Sequence, residues 1–412
     1  MSGEILFLAH RLPFPPDRGD KIRSHHVLKA LAQLAPVHVA CLSETASDRA
    51  HEGELAAIAA SHCLADRAKP LPLAGLEALA RREPVSLSAF RHPELQAYVK
   101  RRLHERPIDT IYVFSGQMGQ YVPKGWKDRL VVDLVDVDSA KFEAYAAEKS
   151  WPMRWVNARE GRLLRTEEAR LARMADHTLL VSEAEAALFR SRLGDDNAAD
   201  IVALGNGIDF AAFDPVRWTP HPALAASPGP HLVFTGQMDY PPNIAAARRV
   251  AQGILPEIRS QHPQAQFHVV GRAPVAELQA LDGQGGVRVW GEVTCVQPFL
   301  AAADLVLAPL LIARGVQNKV LEAMAMARTV LLSSHAAAGI GAVDGEHLAV
   351  EDNDALLVAR ALELLSAPDR RAAMGAAARR FVVERMSWPA MLAPLPALLG
   401  RGGDSQERRD AA

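Results

Sequence analysis

The chain has 412 residues, about half of them apolar, with 46 basic and 48 acidic side chains and a net charge of -2. That length exceeds what one core normally organises and implies two domains; the charge balance excludes a dedicated nucleic-acid binder, which would be basic. Three scattered cysteines, Cys41, Cys63 and Cys295, form neither a disulfide framework nor a metal motif, which fits a reducing, cytoplasmic setting. "MSGEILFLAH" meets an arginine and prolines too early for a signal peptide, and no apolar run approaches the roughly 20 residues needed to span a bilayer.

Short runs rich in β-branched residues alternate with longer Ala/Leu/Arg-rich segments. Strands are predicted at 5–9, 37–42, 110–114, 130–135, 178–181 and 201–204, then at 232–235, 266–270, 287–290, 304–308, 329–333 and 348–350. Near-continuous apolar strands separated by helices imply parallel sheets covered on both faces, hence an α/β protein of two doubly wound, Rossmann-like domains. The break is expected at 216–230, where "RWTPHPALAASPGPHL" holds four prolines. This divides the chain into domains at 1–215 and 231–384, a C-terminal helix at 385–400 expected to cross back to the first domain, and a polar, frayed tail at 401–412.

In such sheets ligands bind beyond the carboxyl ends of the strands, so the loops there are the candidates. The first, "HRLPFPPDRGDKIRSHHVLKAL", is stiffened by prolines and frees a backbone turn at Gly19 before a helix. The next, "VVDLVDVDSAKFEAYA", carries Asp133, Asp136 and Asp138, with one aspartate expected to cap the following helix and no His or Cys cluster to make a metal site. "ALGNGIDFAAF" reads as a tight turn at Asn206-Gly207. "HLVFTGQMDYPPN" and "FHVVGRAP" each end a strand at a glycine, Gly236 and Gly271, the second with Arg272 just beyond.

The most informative stretch is "RGVQNKVLEAMAMARTVLLSS", residues 314–334. Gly315 bares backbone N–H groups before a helix that starts at 316–318, where the macrodipole favours an anion. Lys319 places a positive charge in the first turn, which capping rules disfavour unless a phosphate is bound there. Glu322 lies one turn beyond Asn318 on the same face. A carboxylate accepts two hydrogen bonds and so suits the vicinal hydroxyls of a ribose. Together these residues point to a nucleoside diphosphate.

"QNKVLEAMAMARTVLLSS" resembles the donor-site motif of family-4 glycosyltransferases, the retaining group-1 type with the GT-B fold. "GNGID", "FTGQMDYPPN", "VVGR" and "VRVWGEV" match further stations of that family in order. "DLVDVDSAKF" with "RGVQNKVLEAMA" is similar to the transferases found beside exosortase (PEP-CTERM) exopolysaccharide systems. The resemblance implies transfer of a sugar from a nucleotide-diphosphate donor to a glycan or lipid-linked acceptor, with retained anomeric configuration, no essential metal and no other cofactor. It implies that Glu322 holds the ribose, that Gly315, Val316, Gln317, Asn318 and Lys319 lie along the diphosphate, and that Gly19 sits near the reacting phosphate. Gly236 would border the cleft, and residues 289–291 would lie near the base.

The chain departs from the pattern at Arg314, where the family has a glutamate, and in "GQMDYPPN", which lacks the usual Arg and Lys. Diphosphate charge is then expected to fall to Lys319 with Arg314 or Arg272. Asp136 and Asp138 replace the family's histidine and are expected to orient the acceptor or the transferred sugar. A nucleotide-sugar 2-epimerase and a non-catalytic nucleotide-sugar binder are the alternatives within this architecture. The basic runs at 80–84 and 100–106 make contact with an anionic membrane surface a further expectation.

Overall fold

The computed structural model describes residues 3–194, 199–313 and 315–402. It divides into two compact units, one of Met1–Asn206 with Met391–Ala412 and one of Gly207–Ala390.

In unit 1 the strands are β1 (Glu4–Ala9), β2 (Val37–Ser43), β3 (Ser61–Asp66), β4 (Ile108–Phe114), β5 (Arg129–Val135), β6 (His177–Leu180) and β7 (Ile201–Ala203). They pair in parallel in the order β3-β2-β1-β4-β5-β6-β7. Every residue of β1 and β2 is buried, as helical cover on both faces demands. In unit 2 the strands are β8 (His231–Thr235), β9 (Gln266–Val270), β10 (Val287–Gly291), β11 (Leu305–Ala308), β12 (Val330–Leu332) and β13 (Ala349–Val350). Their order is β10-β9-β8-β11-β12-β13, again parallel throughout. All twelve predicted strands are present within a residue or two of the expected bounds. β3 was not predicted. It is an edge strand, "SHCLAD", whose first half is only partly buried, so its composition lacks the apolar run. In each sheet the strand order reverses beside the first strand, at β1/β4 and at β8/β11, which opens a crevice beyond the strand ends.

The unit boundary falls at Asn206/Gly207, ahead of the expected 216–230 break. The prolines there do not loosen the chain. Pro222 starts a short helix over Pro222–Ala225, Leu224 is buried, His221 N–H donates to the Pro298 carbonyl, and the His221 ring stacks on Phe299 at 4.3 Å. That segment is part of unit 2. At the other end, the chain from Met391 onward belongs to unit 1 and forms one short helical turn, Leu395–Leu398. Arg401, expected in the frayed tail, is anchored by donating to the Gly3 carbonyl at 3.0 Å and to Asp109. The rest of the predicted tail, 403–412, lies outside the described residues.

A buried ion pair organises the core of unit 1 near its strand ends. Arg23, in the Gly19–Leu34 helix, and Asp133, in β5, are both fully buried. The guanidinium donates Nε to Asp133 at 2.9 Å and Nη2 at 3.2 Å, and the Tyr112 hydroxyl donates to the same carboxylate at 2.9 Å. Arg23 Nη1 is satisfied by the Leu204 carbonyl at 2.8 Å and Asn206 Oδ1 at 3.0 Å. Asp133 also accepts from the Val135 N–H at 3.2 Å and so holds Val135 at φ 69°, a conformation that β-branched residues rarely adopt. Such a pair is costly to break from one side, because the remaining charge has neither water nor partner. Arg23→Ala should therefore destabilise unit 1 by about 3–5 kcal/mol in urea denaturation. Lys141→Ala, which breaks only exposed pairs, should cost about 1 kcal/mol or less.

Candidate functional site

The loops after β8, β9, β10 and β11 enclose a pocket of about 630 Å³ within unit 2. Its lining includes Gly236, Arg272, Val316, Gln317, Asn318, Lys319 and Glu322, so seven of the predicted donor-side residues meet in one place. Gly315 precedes them at φ 63°, exposed, with open space where a side chain would point. Arg314 lies outside the described residues. Gln237, Tyr240, Asn243, Gly271 and Glu292 also line the pocket and were not singled out as site residues.

Two of the helices that begin at this pocket differ at their N-termini. The Pro241–Arg249 helix starts with two prolines that carry no N–H, and its next two N–H groups, Asn243 and Ile244, both donate to the Tyr240 carbonyl. It has no backbone donor left to offer. The Asn318–Ala325 helix has Gln317 as its N-cap with no side-chain cap, and its first backbone bonds come from Val320 and Leu321 to the Gln317 carbonyl. Among the described residues nothing accepts from the Asn318 or Lys319 backbone N–H. Unpaired donors at a helix start, with the dipole behind them, form an anion site.

Lys319 supplies the full charge. Its ammonium donates to Asn243 Oδ1 and sits 4.9 Å from the centre of the Phe234 ring. Burial disfavours the charged form and pushes its pKa down to about 8. Glu322, one turn along, is pushed up to about 7 by burial, partly offset by the nearby Lys319 charge. No hydrogen bond or ion pair reaches the Glu322 carboxylate among the described residues. The rest of that helix explains its sequence: Val320, Leu321, Ala323, Met324 and Ala325 are buried in unit 2. The free protein therefore holds two desolvated charges and two unpaired donors around one space. A ligand carrying an anionic group and adjacent hydroxyls would satisfy all four.

Two glycines make the floor. A Cβ on Gly236 would meet Asn243 Nδ2 at 2.8 Å and Lys319 Nζ at 3.2 Å. A Cβ on Gly271 would lie 1.6 Å from the Gly236 carbonyl oxygen, and both residues have positive φ, 154° and 151°. Arg272 donates from Nη2 to Gln237 Oε1 at 3.0 Å, which aims the loop after β9 toward the loop after β8. The wall beyond β10 is made by Glu292, Val293 and Val296. Residues 289–291, expected there, do not line it. Trp290 instead donates to His268 Nδ1 at 3.1 Å and packs against His221 and Phe299.

The remaining predicted residues lie in unit 1. Gly19 is exposed at the start of the Gly19–Leu34 helix, and nothing lies within 4 Å of where its Cβ would be. Asp136 and Asp138 follow β5 and share Lys141, at 3.6 Å and 2.9 Å, with Asp136 about half exposed. The expected aspartate cap is absent. Val137 occupies the cap position, and its N–H, together with that of Ser139, goes to Glu185 and Glu168. Among the described residues no group of three or more potential metal ligands gathers.

Residues 229–367 match the family model described as "Glycosyl transferases group 1". No curated protein sequence matches the chain. Among solved structures, Alr3699/HepE from Anabaena, in complex with UDP and glucose, superposes with a TM-score of 0.60 at 16% identity, over 97% of this chain and 100% of that one. Sucrose-phosphate synthase from Thermosynechococcus elongatus gives a TM-score of 0.59 at 16% identity, with both chains covered fully. WaaG, a glycosyltransferase involved in lipopolysaccharide biosynthesis, gives 0.57 at 17% identity, over 96% of this chain and 100% of that one. The fold is thus the GT-B class, with two Rossmann-like α/β units. The match to the group 1 glycosyltransferase model lies within unit 2 and, with the fold, supports a glycosyltransferase.

Gly271→Ala tests whether the glycine pair shapes the pocket. The added methyl should cost unit 2 about 1–3 kcal/mol from overpacking alone, read as a lowered unfolding midpoint. Gly315→Ala has open space around it and should cost only its positive-φ strain, about 1 kcal/mol.

Proposed function

We propose that the chain is a retaining glycosyltransferase that takes its sugar from a nucleoside-diphosphate donor held in the unit 2 pocket. The observation that carries this reading is the pairing of the unpaired Asn318 and Lys319 N–H groups and the Lys319 ammonium with the uncommitted Glu322 carboxylate one turn further on. Phosphate takes the first group, and the two ribose hydroxyls donate to the second. Gly236 lets the donor approach the backbone, while Gly315, Val316 and Gln317 run along the diphosphate. Arg272 adds positive charge at its edge; the other expected cation, Arg314, lies outside the described residues. The base lies toward residues 292–296.

The chemistry we propose needs few protein groups. The bond between the anomeric carbon and the β-phosphate oxygen breaks, and Lys319 with the helix start stabilises the charge gathering on the leaving diphosphate. The acceptor hydroxyl attacks from the same face, and its proton passes to the departing phosphate oxygen. These cationic and N–H groups are assigned the role without a resident metal. We assign acceptor recognition to unit 1, with Gly19 at the helix start and Asp136 or Asp138 orienting a hydroxyl. A glycan or lipid-linked acceptor of exopolysaccharide synthesis, in the manner of PEP-CTERM-associated transferases, is the proposed setting.

Mutation separates the roles. Glu322→Ala removes an acceptor of charge-assisted hydrogen bonds worth about 1.5–3 kcal/mol, so calorimetry should show donor affinity falling roughly ten- to a hundredfold. Lys319→Ala should lower kcat with the cognate donor by about 10² or more. Wild-type affinity in Glu322→Ala, or wild-type kcat in Lys319→Ala, would remove that residue from the site.

The pKa shifts fix a pH dependence. A carboxyl raised to about 7 is protonated below that pH and loses its capacity to accept both hydroxyls. An ammonium lowered to about 8 is neutral above that pH and loses its attraction for phosphate. Nucleotide affinity should therefore peak between about 7 and about 8. The acid limb should vanish in Glu322→Gln while the alkaline limb remains. A flat profile in the wild type would contradict the assignment.

A further inference from the structure

The helix Leu71–Arg81 in unit 1 is built inside out. Its small residues, Ala74 and Ala78, face the core, while Leu71, Leu73, Leu76 and Leu79 are exposed, Leu76 by 66%. Soluble surfaces rarely gather large aliphatic side chains on one helix face without a partner. A second exposed apolar group lies at the start of the Met153–Met174 helix: Trp151, 82% exposed, with Met153 and Trp155. Hydrogen bonds bring the two groups to the same side of the unit. Arg159, one turn beyond Trp155 on the same helical face, donates to the Ala78 carbonyl at 3.0 Å and the Glu83 carbonyl at 3.2 Å. Glu160 beside it accepts from the Val85 and Ser86 N–H groups at 2.8 and 2.9 Å. A cavity of about 630 Å³ opens against Leu73, with Leu42, Pro70, Ala89 and Pro93 in its wall.

The charges around this surface select the partner. Arg82, Lys149 and Arg154 are exposed and, among the described residues, paired with no acid. The acids on the inner side, Glu77 and Glu83, are already engaged by Lys69, Arg81 and Arg91, which leaves Glu148 as the exposed acid nearby. In the basic run at 100–106, Arg102 pairs with Glu105 and Arg106 with Glu4, while Lys100 and Arg101 are exposed and, among the described residues, paired with no acid. Exposed leucines flanked by tryptophans and free cations match the layering of a bilayer interface: hydrocarbon, the amphipathic headgroup zone and anionic phosphate.

We propose that unit 1 docks on an anionic lipid surface through the outer face of the Leu71–Arg81 helix and the adjoining Trp151–Trp155 segment. The leucines and indoles enter the acyl boundary, and Arg82, Lys149 and Arg154 meet headgroup phosphates. This goes beyond the donor-site reading and does not depend on it. It would bring the enzyme to an acceptor carried on lipid.

The test uses the full chain and phosphatidylcholine vesicles with or without about 30% phosphatidylglycerol, an anionic headgroup that cations should favour. Wild type should co-sediment with the anionic vesicles and show a blue shift in tryptophan emission. Leu76→Glu/Leu79→Glu should weaken that binding roughly tenfold or more, since it places charge in the apolar layer. Trp151→Phe/Trp155→Phe should lose the blue shift while keeping most of the binding. All these side chains are exposed, so the variants should keep the wild-type unfolding midpoint.

Failure of wild type to bind anionic vesicles at low salt would overturn the proposal, as would undiminished binding by the leucine variant. A wild-type dimer that the leucine variant dissolves, with no vesicle binding, would also overturn it and make the face a self-interface. Nucleoside-diphosphate titration of the same proteins keeps the two readings separate. Vesicle binding without nucleotide binding would sink the donor site alone, and the reverse would sink the docking surface alone.

Discussion

Half-burying Lys319 and Glu322 at the mouth of one short helix is the constraint on which the functional account depends. Neither charge is matched in the way an interior charge normally is: the ammonium has an amide oxygen and an aromatic face, and the carboxylate has no hydrogen bond among the described residues. Desolvation moves both pKa values toward neutrality, to about 8 and about 7. An arrangement that costs the free protein this much is explained when a ligand offsets it. The surrounding geometry serves the same end. The Gly236–Gly271 contact lowers the floor, and the proline-started Pro241–Arg249 helix withholds its N–H groups, while the helix that carries Lys319 offers its own.

Unit 1 depends on a different kind of pairing. Arg23 and Asp133 are buried but fully satisfied, and they tie the first helix to the end of β5 and the Leu204–Asn206 turn. The strained Val135 is held by that carboxylate. In unit 2 incomplete satisfaction marks a place for a ligand. In unit 1 the fully satisfied Arg23–Asp133 pair fixes a scaffold, and apolar groups on the outer face of the Leu71–Arg81 helix are left uncovered.

Much of this was legible in the residues, because strand cores and helix starts are local. Near-continuous β-branched runs identified twelve strands, and the helical spacing of Asn318, Lys319 and Glu322 placed the three on one pocket wall. What could not be read was set by distance along the chain. Arg23 and Asp133 are separated by 110 positions, and nothing near either residue announces the other. Asn243, which holds Lys319 from 76 positions away, read only as part of a helix start. The Gly236–Gly271 contact needed the β8–β9 pairing before its steric meaning existed. The prolines at 220–230 misled because proline both breaks linkers and starts helices, and Pro222 does the second.

The most direct measurement is a crystal structure of the protein soaked with UDP. The account predicts phosphate oxygens about 2.7–3.2 Å from the Asn318 and Lys319 N–H groups and the Lys319 ammonium, with both ribose hydroxyls on Glu322. A nucleotide bound elsewhere, or in this pocket with its ribose away from Glu322, would contradict it.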